Sequence, residues 1–237
     1  LPASGRMMWT VPDLVASNVS LRVSESLNSA VSVVTPVPVK ITGGFHVDLP
    51  AAGARWTVGE RQEIRWRTLG SVPQVHLEYS NDEFRQHRET IAENVENLGR
   101  YEWTIPDSIG DQKWIRVSDV RARDLAVVSD PFIISGSLFI KSPQGGQIFN
   151  VGDMVPLEWD TMGSIESVKL EYSTNGFIQS FPIAGPSTNE GAYGWQIPDV
   201  ISHDVRVRVV DASDPRVVSE MVSGIVVQGV LRLESPK

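Results

Sequence analysis

A five-residue phrase occurs three times in this chain and restricts its folding more than any other feature. Trp9-Thr10-Val11-Pro12-Asp13, Trp103-Thr104-Ile105-Pro106-Asp107 and Trp195-Gln196-Ile197-Pro198-Asp199 stand 94 and 92 residues apart. Gly43, Gly136 and Gly229 are spaced 93 and 93, and Pro50, Pro143 and Pro236 keep that interval. Gly59 pairs with Gly152, Trp66 with Trp159, Tyr79 with Tyr172 and Arg116 with Arg208. So regular a period marks a copied unit, with one-residue slips between anchors, where loops accept insertions. The 237 residues accordingly divide into the back half of one copy (1–43), a complete copy (44–136), a second complete copy (137–229) and the opening strand of another (230–237).

Inside a copy the pattern alternates with period two, the signature of strands. Ile64 and Trp66 take the inward phase, as do Val75, Leu77 and Tyr79, with Arg65, Arg67, His76 and Glu78 outward. Tyr101, Trp103, Ile105, Ile115 and Val117 continue it, and Leu157/Trp159, Val168/Leu170/Tyr172, Tyr193/Trp195/Ile197 and Val207/Val209 repeat it. Thirty-two valines against 12 alanines lean the same way, since valine favours strands and alanine helices. The expectation is all-β: immunoglobulin-like or fibronectin-III-like sandwiches of about seven strands in tandem. Residues 87–98 place Ile91, Val95 and Leu98 at helical spacing, but the matching stretch Phe181-Pro182-Ile183-Ala184-Gly185-Pro186 cannot be a regular helix. Strand and loop are therefore expected in both copies. Residues 132–140 pass from one copy to the next with almost no linker, which predicts a semi-rigid array.

Composition closes off several functions. Net charge is −8 and the isoelectric point about 5.0, so the basic footprint that holds a phosphate backbone is missing and no nucleic-acid partner is expected. Cysteine is absent, which excludes disulfides, thiolate metal sites and a cysteine nucleophile. The sheets are instead expected to rely on Trp66/Trp159 and Trp103/Trp195 packing. No apolar run approaches the ~20 residues of a membrane span.

The copy reads Gly-Gly-x4-Val-Gly, Trp-x-Thr-x-Gly, Val-x-Leu-Glu-Tyr-Ser and Asn-x-Gly-x-Tyr-x-Trp-x-Ile-Pro-Asp. The second copy supplies these as Gly145-Gly146, Val151-Gly152, Trp159 to Gly163, Val168 to Ser173 and Asn189 to Asp199. This pattern resembles the Ser-Thr-rich GPI-anchored cell-wall family of fungi, whose domain is linked to β-glucan assembly, and the tandem Ig-like repeats of large microbial surface proteins. The resemblance covers essentially the whole chain and brings no catalytic residues. It implies an extracellular structural or adhesive module.

Individual residues are weighed against their counterparts. Trp9, Trp103 and Trp195 share one inward position and Trp66 and Trp159 another, while Trp56 matches Phe149. With Tyr79 and Tyr172 these tryptophans are expected in the core. Trp114 differs: its counterparts are Ser20 and Arg206, and Ile115 and Val117 hold the inward phase. It is expected to project outward, either as a contact to another chain or a glycan or as a tolerated surface ring. Asp119, Asp124, Asp211 and Asp214 are candidate calcium ligands, with ordinary turn chemistry as the competing reading. No other cofactor or metal is implied. His46, His76, His87 and His203 have no counterparts, form no metal-ligand motif and are expected at the surface. No nucleophile elbow or paired-carboxylate motif is present, and no catalytic cluster breaks the symmetry between copies.

Residues 1–43 are expected to hold the last strands of a sandwich without the first. Two readings follow: a window on a longer repetitive polypeptide, or completion by strand addition from a neighbouring subunit. The expected function is non-enzymatic: an extracellular structural or adhesive protein of a fibre, sheath or surface layer. Its partners would be other copies of itself or neighbouring repeats. The alternative is a glycan-binding or spacer array of a cell-wall-associated protein, with cell-wall glycan as partner.

Overall fold

The computed structural model describes residues 5–231. The segment before the first complete copy holds four short strands: β1 (Ala16–Val19), β2 (Arg22–Ser24), β3 (Ser32–Val34) and β4 (Val39–Ile41). Nine follow in the next copy: β5 (Gly44–Leu49), β6 (Arg55–Thr57), β7 (Arg61–Leu69), β8 (Gln74–Ser80), β9 (Glu89–Glu96), β10 (Arg100–Thr104), β11 (Gly110–Asp119), β12 (Ala126–Val128) and β13 (Phe132–Ser135). Nine more repeat them: β14 (Ser137–Ser142), β15 (Ile148–Asn150), β16 (Met154–Met162), β17 (Ser167–Ser173), β18 (Phe181–Thr188), β19 (Ala192–Gln196), β20 (Ser202–Asp211), β21 (Val218–Glu220) and β22 (Ile225–Gln228). The strand expected over 230–237 falls on residues outside the described range from 232 onward.

The two copies share one topology. One sheet runs β10-β7-β5 and its counterpart β14-β16-β19. The other runs β6-β13-β11-β8-β9, with β12 on β11, and is matched by β15-β22-β20-β17-β18, with β21 on β20. Strand β15 joins β22 in parallel, while the pairs β14–β16, β16–β19, β17–β18 and β17–β20 are antiparallel. A three-strand sheet facing a sheet of the remaining strands is the immunoglobulin-like or fibronectin-III-like sandwich. The fold is all-β, as the alternation requires. Among the described residues there is no helix, and so none long and apolar enough to cross a membrane. The stretch with helical spacing is strand β9, and its proline-bearing counterpart is β18.

The chain forms two compact units. The first comprises Leu1–Ala54, Arg61–Trp103 and Gln112–Ile133, and the second Arg55–Glu60, Thr104–Asp111 and Ile134–Lys237. In the second, Val155, Leu157 and Trp159 from β16 meet Val168 and Leu170 from β17 and Val205, Val207 and Val209 from β20. These inward residues are at most 4% exposed. Burial of each such aliphatic side chain stabilises the fold by roughly 1.5–3 kcal/mol.

One polar side chain ties the sheets together in each copy. The Trp66 indole Nε1 donates to Asn97 Oδ1 at 2.7 Å, and Trp159 does the same to Asn189 at 2.7 Å. The Asn97 amide nitrogen donates to Thr68 Oγ1 at 3.0 Å and to the Val72 carbonyl at 2.7 Å. Asn189 reaches Thr161 Oγ1 at 3.0 Å and the Ile165 carbonyl at 2.9 Å. Each asparagine sits where the chain leaves β9 or β18 for the opposite sheet, and each carbonyl lies on the other crossover, between β7 and β8 or β16 and β17. One amide therefore holds both crossovers and the core indole.

Asn189→Ala should destabilise the second sandwich by about 2 kcal/mol, because it strands a buried indole N–H and a backbone carbonyl. Asn97→Ala should do the same in the first. Urea unfolding of the two variants and their double would measure this, and near-additive losses are expected because the two asparagines share no partner.

Candidate functional site

A polar contact built in both units joins the Pro-Asp phrase to a Gly-Ser turn. The proline carbonyl accepts the N–H two residues on in all three occurrences: Leu14 to Pro12 at 2.8 Å, Ser108 to Pro106 at 2.9 Å and Val200 to Pro198 at 2.7 Å. This tight bend presents the intervening aspartate. In the first unit Asp13 accepts the Ser71 backbone N–H at 2.7 Å and the Ser71 hydroxyl at 2.9 Å. In the second unit Asp107 accepts the Ser164 N–H at 3.0 Å and the hydroxyl at 2.5 Å. A carboxylate taking two hydrogen bonds from one serine fixes both distance and orientation.

Glycine is required on the receiving side. Gly70 and Gly163 both have φ +84°, a left-handed conformation that costs an L side chain energy. A Cβ on Gly70 would lie 3.1 Å from Val15 Cγ2, and one on Gly163 would lie 3.0 Å from Val58 Cγ2 and 3.1 Å from Ile109 Cδ1. Each contact thus has a polar half, Asp on Ser, and an apolar half, Val15 or Ile109 on bare backbone. Pro-Asp stands out in the sequence as an invariant of the copies, whereas the serine after the glycine of Trp-x-Thr-x-Gly was missed, although it recurs as Ser71 and Ser164. That the two meet was not visible, because the partners are 58 and 57 residues apart.

A charged network lies nearby in the second unit. Arg55 Nη1 is 2.9 Å from Asp214 Oδ2, Arg216 Nε is 2.7 Å from Asp214 Oδ1, and Arg216 Nη2 is 3.1 Å from Asp111 Oδ1. The hydrogen bond from Arg216, with help from Arg55 and against the effect of burial, holds the Asp214 carboxyl down to about 2 from the usual 3.8. In the first unit Lys40 donates to Asp124 at 3.0 Å and lowers its pKa. The other two calcium candidates act as turn residues: Asp119 accepts the Arg121 N–H and Asp211 the Ser213 N–H, each at 2.8 Å. The four carboxylates are thus engaged with cations or turn amides. No group of three or more His, Cys, Asp or Glu residues that could hold a metal occurs among the described residues.

The aromatic residues divide. Trp66, Trp103, Trp159, Trp195 and Tyr79 are buried, and Tyr172 is half-buried against the core. Trp9 departs from the core expectation at 41% exposure. Trp103 is covered by Tyr79, at 5.2 Å between ring centres, and by Phe132 at 6.5 Å. The position 93 residues before Phe132 is Val39, an aliphatic residue in place of the ring that covers Trp103. Trp114 lies on β11 opposite Ser80, on the face away from Ile115, and is half-buried.

His76 also departs from expectation. It and Glu78 lie on the outward face, yet are only 2% and 4% exposed. His76 Nε2 stands 3.4 Å from Glu78 Oε1 and Arg116 Nε 3.5 Å from Glu78 Oε2. The Arg116 guanidinium lies over the Phe84 ring at 5.7 Å. The second copy builds the more open version, with Arg208 on Glu171 at 2.6 Å and over Phe177 at 4.5 Å. A serine-based turn carries each phenylalanine: Ser80 Oγ accepts the Phe84 N–H and Ser173 Oγ the Phe177 N–H, both at 3.0 Å. His46, His87 and His203 are exposed.

No family model matches the chain, and no curated protein matches it. The resemblance to the cell-wall glucan-assembly domain therefore stands on its motifs. Among solved structures, the fibronectin(III)-like modules of Clostridium thermocellum CbhA align at 15% identity and TM-score 0.27, covering 81% of this chain and 100% of that one. SGBP-B of the Bacteroides ovatus mixed-linkage glucan utilization locus, in complex with a mixed-linkage heptasaccharide, aligns at 15% identity and TM-score 0.27, covering 91% and 56%. The N-terminal four Ig domains of Dscam1 isoform 6.44 align at 9% identity and TM-score 0.40, covering 89% and 54%. The chain spans about half the length of the last two. At these values the fold rests on strand order and the alignments carry nothing about function.

The carboxylate network predicts an acid response. Asp214, and Asp82 under the Ser80 hydroxyl, are both held down to about 2. Their folded values lie below the unfolded one, so the unfolded chain binds more protons in that interval. Their stabilisation is whole above about pH 4 and is lost as pH falls toward about 2. The melting temperature should drop across that window, and Asp214→Asn should flatten the drop while lowering stability at neutral pH. An Asp214→Asn chain with the parent's acid profile would contradict this.

Proposed function

We propose that this chain is a non-enzymatic structural or adhesive repeat protein of an extracellular fibre, sheath or surface layer, with residues 44–136 and 137–229 as its complete repeats. The observation that supports the reading is the Asp-on-Gly-Ser contact, built twice with the same atoms and close to the same interval. Such a contact keeps successive copies in a defined sequence, which is what a load-bearing or spacing array needs. The polar residues that would otherwise suggest chemistry are committed to structure. Asp13 and Asp107 bind serines, Asp119 and Asp211 close turns, and Asp214 pairs with two arginines. Partners on this reading are other copies of the repeat, and strand addition at the sheet edges is the route by which chains would assemble.

A glycan-binding array is the second reading, favoured by the half-exposed outward ring of Trp114. The open cleft of about 400 Å³ beside Tyr172, Tyr193 and Met154 adds a second aromatic surface.

Protease treatment of intact cells that make the protein should release fragments of it, and complete protection inside the cell would count against the extracellular reading. Purified chain should sediment as concentration-dependent assemblies under the structural reading and stay monomeric otherwise. Retention on insoluble β-glucan that falls at least five-fold in Trp114→Ala would favour the second reading. Unchanged retention would remove its residue-level support.

A further inference from the structure

We infer that β19 is a strand-addition edge and that its occupant is β19 of a second copy of this chain, paired antiparallel about Gly194. The inference rests on the assembly reading above and names the edge through which assembly works.

Strand β19 ends its sheet, with β16 as its one strand neighbour among the described residues. Its counterpart β10 also ends a sheet, in a copy that has repeat sequence on both sides. The free edge therefore belongs to the fold of the repeat and not to the position of one copy. Such an edge exposes unpaired N–H and C=O groups, and charges, proline or extreme shortness guard it against pairing. The other strands of the complete copies that have a single neighbour follow this rule. Charged residues lie on β5, β9, β10 and β14, Pro182 and Pro186 lie on β18, and β6, β12, β15 and β21 are three residues long. Strand β19, Ala192-Tyr193-Gly194-Trp195-Gln196, has neither charge nor proline over its 5 residues.

The first copy shows what has been removed. Arg61, Glu63, Arg100 and Glu102 have Met154, Pro156, Ala192 and Gly194 as their counterparts, on the outward face of β16 and β19. Every charge is lost from that patch, and all the replacements are exposed. Gly194 is not demanded by its own backbone, since it lies outside the positive-φ region. A Cβ there would meet the flexible tip of Met154 at 3.3 Å and nothing else within 4 Å. A glycine inside a strand weakens it and marks places where another backbone comes close.

Register selects the partner. The Trp159 N–H donates to the Gly191 carbonyl at 3.0 Å, and the Ile197 N–H to the Asp153 carbonyl at 2.9 Å. Tyr193 and Trp195 share that phase and turn their backbone groups to β16. Bonding alternates along an antiparallel pair, so Ala192, Gly194 and Gln196 turn theirs to the free edge. Pro156, opposite Gly194, has no N–H to give, in keeping with this. A second β19 laid antiparallel about Gly194 sets Gly194 against Gly194, Ala192 against Gln196 and Tyr193 against Trp195. No charges face one another, and the Tyr193 ring, 38% exposed, gains a neighbour. The same pairing at β10 would set Glu102 against Glu102, a like-charge pair that opposes association. Room for a strand is present, because the open cleft of about 400 Å³ lined by Tyr172, Ile183, Tyr193 and Gln196 lies beside this edge.

The test is sedimentation velocity on the full chain and on Gly194→Glu, which places there the residue type that the first copy carries. The parent should form a concentration-dependent dimer. Gly194→Glu and Gly194→Lys should each weaken it about ten-fold or more, and an equimolar mixture of the two should restore it. Glu102→Lys, the matching change in the first copy, should leave the dimer unchanged. In the parent, the Gly194 amide should exchange about ten-fold more slowly at concentrations that give dimer than at those that give monomer. Should neither Gly194 variant fold, that exchange measurement decides alone. Undiminished dimer in a folded Gly194→Glu chain, or a mixture that fails to restore it, would overturn this edge and leave assembly through another surface standing. A parent that stays monomeric would overturn both this pairing and the assembly reading beneath it.

Discussion

The sandwiches depend on one arrangement, an indole buried in the core whose only polar atom must be satisfied there. Trp66 and Trp159 contribute large apolar surfaces, but each carries an N–H that would be costly to bury unpaired. Asn97 and Asn189 accept it at 2.7 Å, and their amide nitrogens bind the opposite crossover. In a chain without cysteine this is the link between sheets. It is hydrogen-bonded rather than covalent, so it works only while the surrounding core excludes water.

Duplication followed by divergence explains the rest of the polar structure. The turn carrying Phe84 or Phe177, the arginine above it and the Pro-Asp bend are all present in both complete copies. Differences gather on the outer face of the larger sheet. His76, Glu78 and Ser118 are buried there in the first copy, while the second has Lys169, Glu171 and Val210. A buried carboxylate is tolerated because a guanidinium is beside it. The second copy keeps the pair and leaves it partly solvated.

The polar side chains described above bind one another and the backbone. The aspartates take N–H groups and serine hydroxyls, and the arginines take aspartates and aromatic faces.

Much of the fold was legible in one dimension. Strand class, the inward phase and the correspondence of copies follow from period-two alternation and from comparing positions 93 apart, and both are properties of neighbouring or copied residues. The rejection of a helix at 87–98 came from its proline-bearing counterpart, and β9 and β18 agree with it. Trp9 misled because identity with Trp103 specifies a phase but not the ring that must cover it. His76 and Glu78 misled because alternation assigns a face and says nothing of what lies above that face. The sequence by itself determined the repeat, the β class and the candidate set. Only the tertiary structure decided that Asp107 meets Ser164 and that Trp159 meets Asn189. Those partners are 57 and 30 residues apart, and hydrogen bonds at that range are set by how sheets and turns pack rather than by local preference.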